Sequence, residues 1–264
     1  MKIIDFHTHT FPDKLAPRAV GALEKSSNTK AFLDGTKKDL RASMQRAGIA
    51  LSVLLPIAVK PGQAHTINTV AMENNRESGF ASFGSVHPLD EAFEEELFRI
   101  KRAGLKGIKL HPDFQEVFLD DPRMVAVMRC AADMDLLITI HAGMDVSYPD
   151  LHRSTPQRLH RILPQLRGAR IICAHSGGFR YLDDVEKYLL GREEIYIDTS
   201  YSIGKMNQTQ LERIYLAMDP THVLFGTDSP WDDQQSAVRQ FLSLALPDRL
   251  RQAVLYENAQ RLLA

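Results

Sequence analysis

Two histidines one residue apart, His7 and His9, follow the first apolar run of the chain. In a β-strand, residues i and i+2 point to the same face, so both imidazoles can meet at one position where a divalent metal could bind. A lone His-x-His pair is a weak signal. Its weight depends on whether further ligand-type side chains follow at the ends of later strands.

Ligand-type side chains do close several of the later apolar runs. Neutral imidazole and carboxylate are suitable ligands for zinc and similar metals. Bound zinc lowers the pKa of a water ligand to about 7, and an aspartate beside the metal can accept that water's proton. Three to five such ligands, around a cavity with one open position, could come from the set His7, His9, His141, His175 and Asp228.

The apolar runs that carry these residues are short and rich in Val, Ile and Leu. Continuous apolar runs are typical of parallel strands that are buried on both faces. They predict strands at 2–6, 50–55, 80–86, 105–110, 136–140, 169–174, 194–198 and 222–226. Segments with helical spacing lie between them, at 37–47, 90–103, 121–134, 155–166, 179–190, 207–217 and 232–245, with a last helix at 248–263.

This alternation over 264 residues, without a linker or a repeat, predicts a single-domain α/β fold, a (β/α)8 TIM barrel spanning 1–264. An open doubly wound sheet is the alternative, but the Gly-rich phosphate turn that usually follows its first strand is missing. In a barrel, chemistry gathers at the C-terminal ends of the strands, where the ligand-type residues stand.

Net charge and the length of the apolar runs argue against nucleic acid and membranes as partners. A net charge of −1 gives no pull toward nucleic acid or anionic membrane, and no apolar run approaches the roughly 18 residues that span a bilayer. Asp5 and His7 would fall inside the apolar core of a signal peptide, which argues against secretion by that route. Cys130 and Cys173 are the only cysteines, so we expect a reduced, cytoplasmic protein. We expect its partner to be a small-molecule substrate. A homodimer is possible, since dimers are the common default for soluble enzymes.

Several motifs together resemble the amidohydrolase superfamily. They are His-Thr-His at 7–9, Gly-Ile-Lys-Leu-His-Pro at 107–112, His-Ala-Gly at 141–143, Ala-His-Ser-Gly-Gly at 174–178, Phe-Gly-Thr-Asp-Ser-Pro at 225–230, and the closing segment 257–263. The resemblance covers essentially the whole chain and is strongest to the amidohydrolase-2 branch. That branch contains hydrolases and decarboxylases of the aminocarboxymuconate-semialdehyde type, and its fold is a distorted barrel.

The resemblance implies metal ligation by His7, His9, His141 and Asp228. It implies that His175 either binds a second metal or acts on water or substrate. We favour one metal, most simply zinc, with manganese, iron and nickel open and two ions as the alternative. Asp228 is then both ligand and base, and His175 an electrophile or proton shuttle.

Whether the site holds one metal or two depends on the state of Lys109. Two-metal members such as dihydroorotase and urease carry a lysine in similar local sequence, carbamylated and bridging the metals. Carbamylation needs a neutral amine, which burial beside cations favours. The alternative is an unmodified lysine that binds a substrate anion. Further substrate contacts are expected near strand ends, from His87, His111, Tyr148, Phe179, Arg180, Tyr201 and Trp231.

Taken together, these features predict a metal-dependent hydrolase in which activated water cleaves an amide, cyclic amide, lactone or similar bond of a small polar substrate. The resemblance supplies that list of bonds. The alternative is a metal-dependent, non-oxidative decarboxylase of a small aromatic or unsaturated acid, which the same ligands support. Decarboxylases of that kind tend to be longer chains, which favours hydrolysis. A barrel without chemistry is the third hypothesis, but no ligand is missing.

Overall fold

The computed structural model describes residues 2–264, and its strands form two parallel sheets. The first has the order β1-β2-β3 and the second β4-β5-β6-β7-β8. The strands are short: β1 (Ile4–Thr8), β2 (Leu51–Leu54), β3 (Phe80–Ser82), β4 (Gly107–Leu110), β5 (Leu137–Ile140), β6 (Ile171–Cys173), β7 (Ile195–Asp198) and β8 (Val223–Leu224). All eight predicted strands are present, most of them shortened by one to four residues at their ends.

Two seams join the sheets into a closed barrel. At one seam Gly84 bridges to Ile108, and at the other Thr8 bridges to Ser229. The backbone N–H of Phe6 also donates to the carbonyl of Phe225 at 2.8 Å. The predicted (β/α)8 barrel is therefore confirmed, with seams that carry fewer ladder bonds than the rest.

The strands β1 and β8 approach closely because one position lacks a side chain. A Cβ placed on Gly226 would lie 2.9 Å from the Cβ of His7, closer than side chains tolerate. Glycine at this position lets the first and last strands lie against one another. The approach brings the C-terminal ends of both strands to one point of the rim.

The helices lie around the barrel. They are α1 (Ala16–Ser27), α2 (Lys37–Ala47), α3 (Ala64–Asn74), α4 (Phe93–Arg102), α5 (Pro122–Asp133), α6 (Pro156–Ile162), α7 (Leu182–Tyr188), α8 (Gln208–Ala217), α9 (Gln234–Ser243), α10 (Asp248–Gln252) and α11 (Asn258–Leu263). Helix α2 has the predicted bounds, because Thr36 caps its start and Gly48 ends it at φ 71°. Helices α1 and α3 are both absent from the predicted set. The predicted helix 248–263 is interrupted by a π-helical turn, Ala253–Glu257. Within residues 2–264 no helix is both long and apolar enough to cross a membrane.

Buried apolar side chains form two layers. The larger layer packs the helices against the outer face of the strands. The smaller fills the barrel and includes Ile4, Phe6 and Phe83, with Leu262 of α11. Phe6 and Phe83 meet edge to face, with ring centroids 5.7 Å apart. Even-numbered residues of β1 therefore point into the barrel at its base.

A register shift in β1 changes this alternation just before the rim. Asp5 pairs with Ser52, but Thr8 pairs with Leu54, so three steps along β1 oppose two along β2. Such a bulge redirects the following side chains and is common beside active sites. Because of it His7 turns toward the barrel axis, whereas Asp5 turns outward and accepts a 2.7 Å hydrogen bond from Gln234 of α9.

Candidate metal centre

The C-terminal ends of β1 and β8 bring three ligand-type side chains together. Nε2 of His9 lies 3.2 Å from Oδ1 of Asp228, and Nε2 of His7 lies 3.4 Å from the same oxygen. One donor atom from each of the three residues lies within 4.8 Å of the others. Two imidazoles and a carboxylate at this spacing are a donor set that fits a divalent metal.

Hydrogen bonds on the far side of each ring aim these imidazoles. Nδ1 of His9 lies 2.9 Å from the backbone carbonyl of Leu55, which can only accept, so Nδ1 carries the proton. Nδ1 of His7 lies 2.7 Å from Oδ2 of Asp198. Both rings are left with an Nε2 lone pair toward the centre, the arrangement typical of metal-bound histidines.

Asp198 is a site residue that the sequence reasoning missed. It ends β7 and is fully buried, and its other carboxylate oxygen accepts the backbone N–H of Ser200 at 3.0 Å. The available signal was a carboxylate that closes a predicted strand, 194–198, at the catalytic rim.

His141 and His175 form a second run of oriented imidazoles. Nδ1 of His175 lies 3.2 Å from the carbonyl of Ser200, so it is the donor and its Nε2 is the acceptor. Nε2 of His175 lies 2.9 Å from Nδ1 of His141, which therefore carries the proton. Nε2 of His141 keeps its lone pair and is buried with no hydrogen-bond partner. An orphaned buried nitrogen of this kind suits a metal ligand.

The predicted set of four ligands is nevertheless not gathered at one point. The group that places its donor atoms within 4.8 Å of one another contains His7, His9 and Asp228, while His141 groups instead with His111 and Asp145. Nε2 of His141 lies 3.8 Å from Oδ2 of Asp145, and Nε2 of His111 lies 3.4 Å from the same oxygen. Asp145 lies in the loop after β5 and was not among the predicted residues.

The cluster of His111, His141 and Asp145 is built differently from the first. His111 is stacked between Phe114 and His141, at a centroid distance of 4.1 Å on each side. The backbone N–H of Phe114 donates to Nδ1 of His111 at 3.3 Å. Neutral His111 must then carry its proton on Nε2, facing Asp145. This imidazole is therefore a donor to the carboxylate and offers the cluster no free lone pair.

Burial sets the charge states of the centre. It lowers the pKa of His7 to about 4, helped by the charge of Lys109, and it holds the pKa values of His111 and His141 well below the usual range. Burial opposes ionisation of Asp228, but the adjacent imidazole of His9 and the positive charge that His7 and His175 can carry outweigh it and lower the pKa of this carboxyl. Neutral imidazole and ionised carboxylate are the forms that bind metal.

Lys109 lies against the first cluster. Its side chain is buried, and its Nζ is 3.2 Å from Nε2 of His7. Burial lowers the pKa of the amine to about 8, although the nearby carboxylates of Asp198 and Asp228 act in the opposite direction. Both roles expected from the sequence, a carbamate that bridges a second metal and a cation for a substrate anion, stay predictions.

A cavity of about 750 Å³ opens above these side chains. Four of the predicted substrate contacts line it: His111, Phe179, Tyr201 and Trp231. The other three lie outside its wall. Nδ1 of His87 accepts the N–H of Leu89 within a turn, the Tyr148 ring packs on Phe114 with centroids 5.9 Å apart, and the exposed Arg180 guanidinium lies over the ring of Phe179.

Comparison with known proteins adds a relative and two solved structures of similar shape. A curated 6-methylsalicylic acid decarboxylase of Aspergillus aculeatus is 23% identical, over 98% of this chain and 95% of the relative. An uncharacterised TIM-barrel protein from Bordetella bronchiseptica superposes with a TM-score of 0.82 at 17% identity, covering 100% and 98% of the two chains. A dihydroxybenzoic acid decarboxylase from Polaromonas, with bound manganese and 2-nitroresorcinol, gives 0.72 at 17% identity, covering 99% and 96%.

These comparisons correct the predicted reaction. The expected hydrolysis of an amide, cyclic amide or lactone is wrong, because the curated relative that matches along almost the whole chain is a decarboxylase. The expectations of an enzyme and of a divalent metal are supported, by that relative and by the donor set of the first cluster. A family model described as amidohydrolase matches residues 4–264, and the chain belongs to that family.

Proposed function

We propose that this protein is a metal-dependent, non-oxidative decarboxylase of an aromatic carboxylic acid. The observation that carries the proposal is the distribution of polarity in the cavity. Its charged lining side chains, Lys109, Asp145 and Asp228, lie together at the barrel rim, while aromatic and aliphatic side chains form most of the remaining wall. Such a cavity suits an apolar ring that bears one acidic group.

The wall offers flat partners for that ring. Phe179, Tyr201 and Trp231 line the cavity, and the rings of Phe179 and Tyr201 lie 5.7 Å apart. Aromatic side chains hold a planar ligand by offset or edge contacts while they exclude water. The carboxylate of the substrate then faces the Nζ of Lys109, the cation nearest to the ligand cluster.

His7, His9 and Asp228, with His141 as a further donor, would hold the ion, which when bound supplies positive charge that neutralises and orients the acidic group of the substrate. We favour Mn²⁺ because the donor set of imidazole and carboxylate accepts it and a structure of the same fold binds it. Zinc is the comparison ion for the test.

The reaction replaces one ring substituent by a proton. A proton is added to the ring carbon that bears the carboxylate, the bond between that carbon and the carboxyl carbon breaks, its electron pair restores the ring, and carbon dioxide leaves. Asp228 is the group that we assign to deliver the proton, because its carboxylate faces the cavity; it first takes up one proton from water in the cavity and returns to the ionised form when the ring carbon accepts that proton. Both ring nitrogens of His175 are engaged, by Ser200 and His141, so His175 acts as a positioning residue.

The test is turnover of hydroxylated benzoic acids by protein loaded with Mn²⁺ or Zn²⁺, with the reaction run in deuterated water. We expect release of carbon dioxide and one deuterium on the ring carbon that lost the carboxylate. Asp228→Asn should lower the rates of both signals by about 10²–10⁴-fold. A parallel reaction is run in water labelled with ¹⁸O. Transfer of this oxygen into the product, without release of carbon dioxide, would contradict the proposal.

A further inference from the structure

The cavity is larger than a single aromatic ring requires. Pockets of roughly 300–1,000 Å³ bind drug-sized ligands, and this cavity of about 750 Å³ lies in the upper half of that range. The metal-ligand cluster and the aromatic wall take up only one end. The rest extends between α1 and α3 and forms an apolar arm, defined by Leu15, Ala19 and Leu23 on one side and Ile67, Val70 and Ala71 on the other.

Each helix gives one continuous face to this arm. Leu15 immediately precedes α1, and Ala19 and Leu23 lie within it. The three residues are spaced four apart, which places them on one face of the helix. On α3 the lining runs from Gln63 before the helix to Asn74 at its end. At 1.5 Å per residue this face is about 16 Å long, longer than an aromatic ring.

The apolar side chains of the arm are incompletely covered by the protein. Leu15 is 56% exposed, and Leu23, Ile67 and Val70 are half-buried. Val59, beside them in the cavity wall, is 37% exposed. A ligand that covers these groups removes apolar surface from water, which is favourable by about 25 cal/mol per Å².

Charge is segregated along the cavity. Among residues 2–264, no charged side chain lines the arm, and the polar groups there are the neutral Ser27, Gln63, Thr66 and Asn74. At the opposite end lie Lys109, Asp228 and the imidazoles. The cavity is continuous from one end to the other, so a ligand that fills it has an acidic head and an apolar tail.

We propose that the substrate is an aromatic acid with an extended apolar substituent, such as an alkyl chain of several carbons, and that this chain lies in the arm between α1 and α3. The proposal rests on the decarboxylase function proposed above. It makes Ala19 and Val70 specificity-determining positions, because a larger side chain at either one fills the arm.

A series of 6-alkylsalicylic acids, from methyl to heptyl, tests the proposal by decarboxylation rate and by binding calorimetry with Mn²⁺-loaded protein. Each buried methylene is expected to raise kcat/KM by up to about fourfold, so the pentyl compound should exceed the methyl compound by at least tenfold. Ala19→Trp should remove this gain, so that kcat/KM no longer rises from the methyl to the pentyl compound. Ala22→Trp is the matched control, since Ala22 is on the exposed side of α1 and should keep the gain.

Val70→Asp is the second variant, in case Ala19→Trp does not fold, and it should also remove the gain by placing a carboxylate in the arm. If the methyl compound is decarboxylated but neither kcat/KM nor affinity changes with chain length, the arm does not bind the substrate and the inference is overturned while the function stands. If no compound turns over but affinity rises with chain length in wild type and Ala22→Trp only, the inference stands and the decarboxylase function fails.

Discussion

The two histidine-aspartate clusters at the rim contain the same residue types, but the hydrogen bonds behind their imidazole rings run in opposite directions. In the first, acceptors behind His7 and His9 hold the proton on Nδ1, so both Nε2 lone pairs face Asp228. In the second, the backbone N–H of Phe114 donates to Nδ1 of His111. The imidazole therefore carries its proton on Nε2, and this N–H faces Asp145. The difference teaches that the hydrogen bond behind the ring, rather than the presence of imidazole and carboxylate, decides which cluster can hold a metal.

The largest difference is expected in catalysis. Asp228→Asn should lower kcat by about 10²–10⁴, because the variant loses both a metal ligand and the proton carrier. Asp145→Asn is the matched substitution in the second cluster and should lower kcat by less than about tenfold, since it keeps the first cluster intact. Steady-state kinetics on a hydroxylated benzoic acid measure both. Equal losses in the two variants would remove the functional distinction between the clusters.

A smaller difference is expected in metal affinity. In Asp198→Asn the amide group can face Nδ1 of His7 and hold the proton on Nε2, where the metal should bind, so affinity should fall by about 10–100-fold. Asp145→Asn should leave affinity unchanged. Calorimetric titration of the apoprotein with Mn²⁺ gives both values and the stoichiometry, expected to be one ion per chain. A second equivalent that disappears in Asp145→Asn would show that the second cluster also binds metal.

Stability should follow pH through the first cluster. His7 titrates near pH 6.5 in an unfolded chain and at about 4 in the folded one, so the unfolded state binds more protons between these values. The stability associated with neutral His7 is complete above pH 6.5 and is lost as the pH falls toward 4, with a slope of at most about 1.4 kcal/mol per pH unit.

Urea unfolding of the apoprotein across this pH range measures that slope. His7→Gln should reduce it. The same slope in the wild type and in His7→Gln would contradict the assignment to His7.

The smallest effect is spectroscopic and requires no substitution. At neutral pH, long-range proton–nitrogen spectra of the histidine rings in the apoprotein should show the Nδ1–H tautomer for His9 and His141 and the Nε2–H tautomer for His111. The opposite tautomer at His111 would give the second cluster a free lone pair and reverse the comparison.

The barrel and the identity of most rim residues could be predicted from the sequence. Parallel strands buried on both faces read as continuous apolar runs, and the closing residue of each run lies at one rim. This logic placed His7, His9, Lys109, His141, His175 and Asp228 around one cavity, where the structure also has them.

The bulge in β1 was beyond that logic. Uniform alternation puts Asp5 on the same face as His7, but the register shift at Phe6 and His7 separates them. A bulge depends on how β1 pairs with β2, which is set by residues about 45 positions away. The tautomers are unpredictable for the same reason, since the partner of His7 is Asp198, 191 residues along the chain.

The reaction was also beyond the reach of the motifs. Hydrolases and decarboxylases of this branch share the ligand residues, so the ligands alone do not separate the two. The apolar wall that Leu15, Ala19 and Leu23 contribute to the cavity lies outside these motifs. Helix α1 has no strong sequence signal, because it contains Gly21 and lacks a side-chain N-cap.

The seam between β1 and β8 ties the metal to the integrity of the fold. His9 and Asp228 lie on the two sides of this seam, next to the single bridge between Thr8 and Ser229. An ion held by both joins the beginning of the chain to its end, and at one hundred times its Kd it adds about 2.7 kcal/mol to the stability of the closed barrel. With the proposed metal-dependent function, the same ion would stabilise the closed barrel and support the reaction.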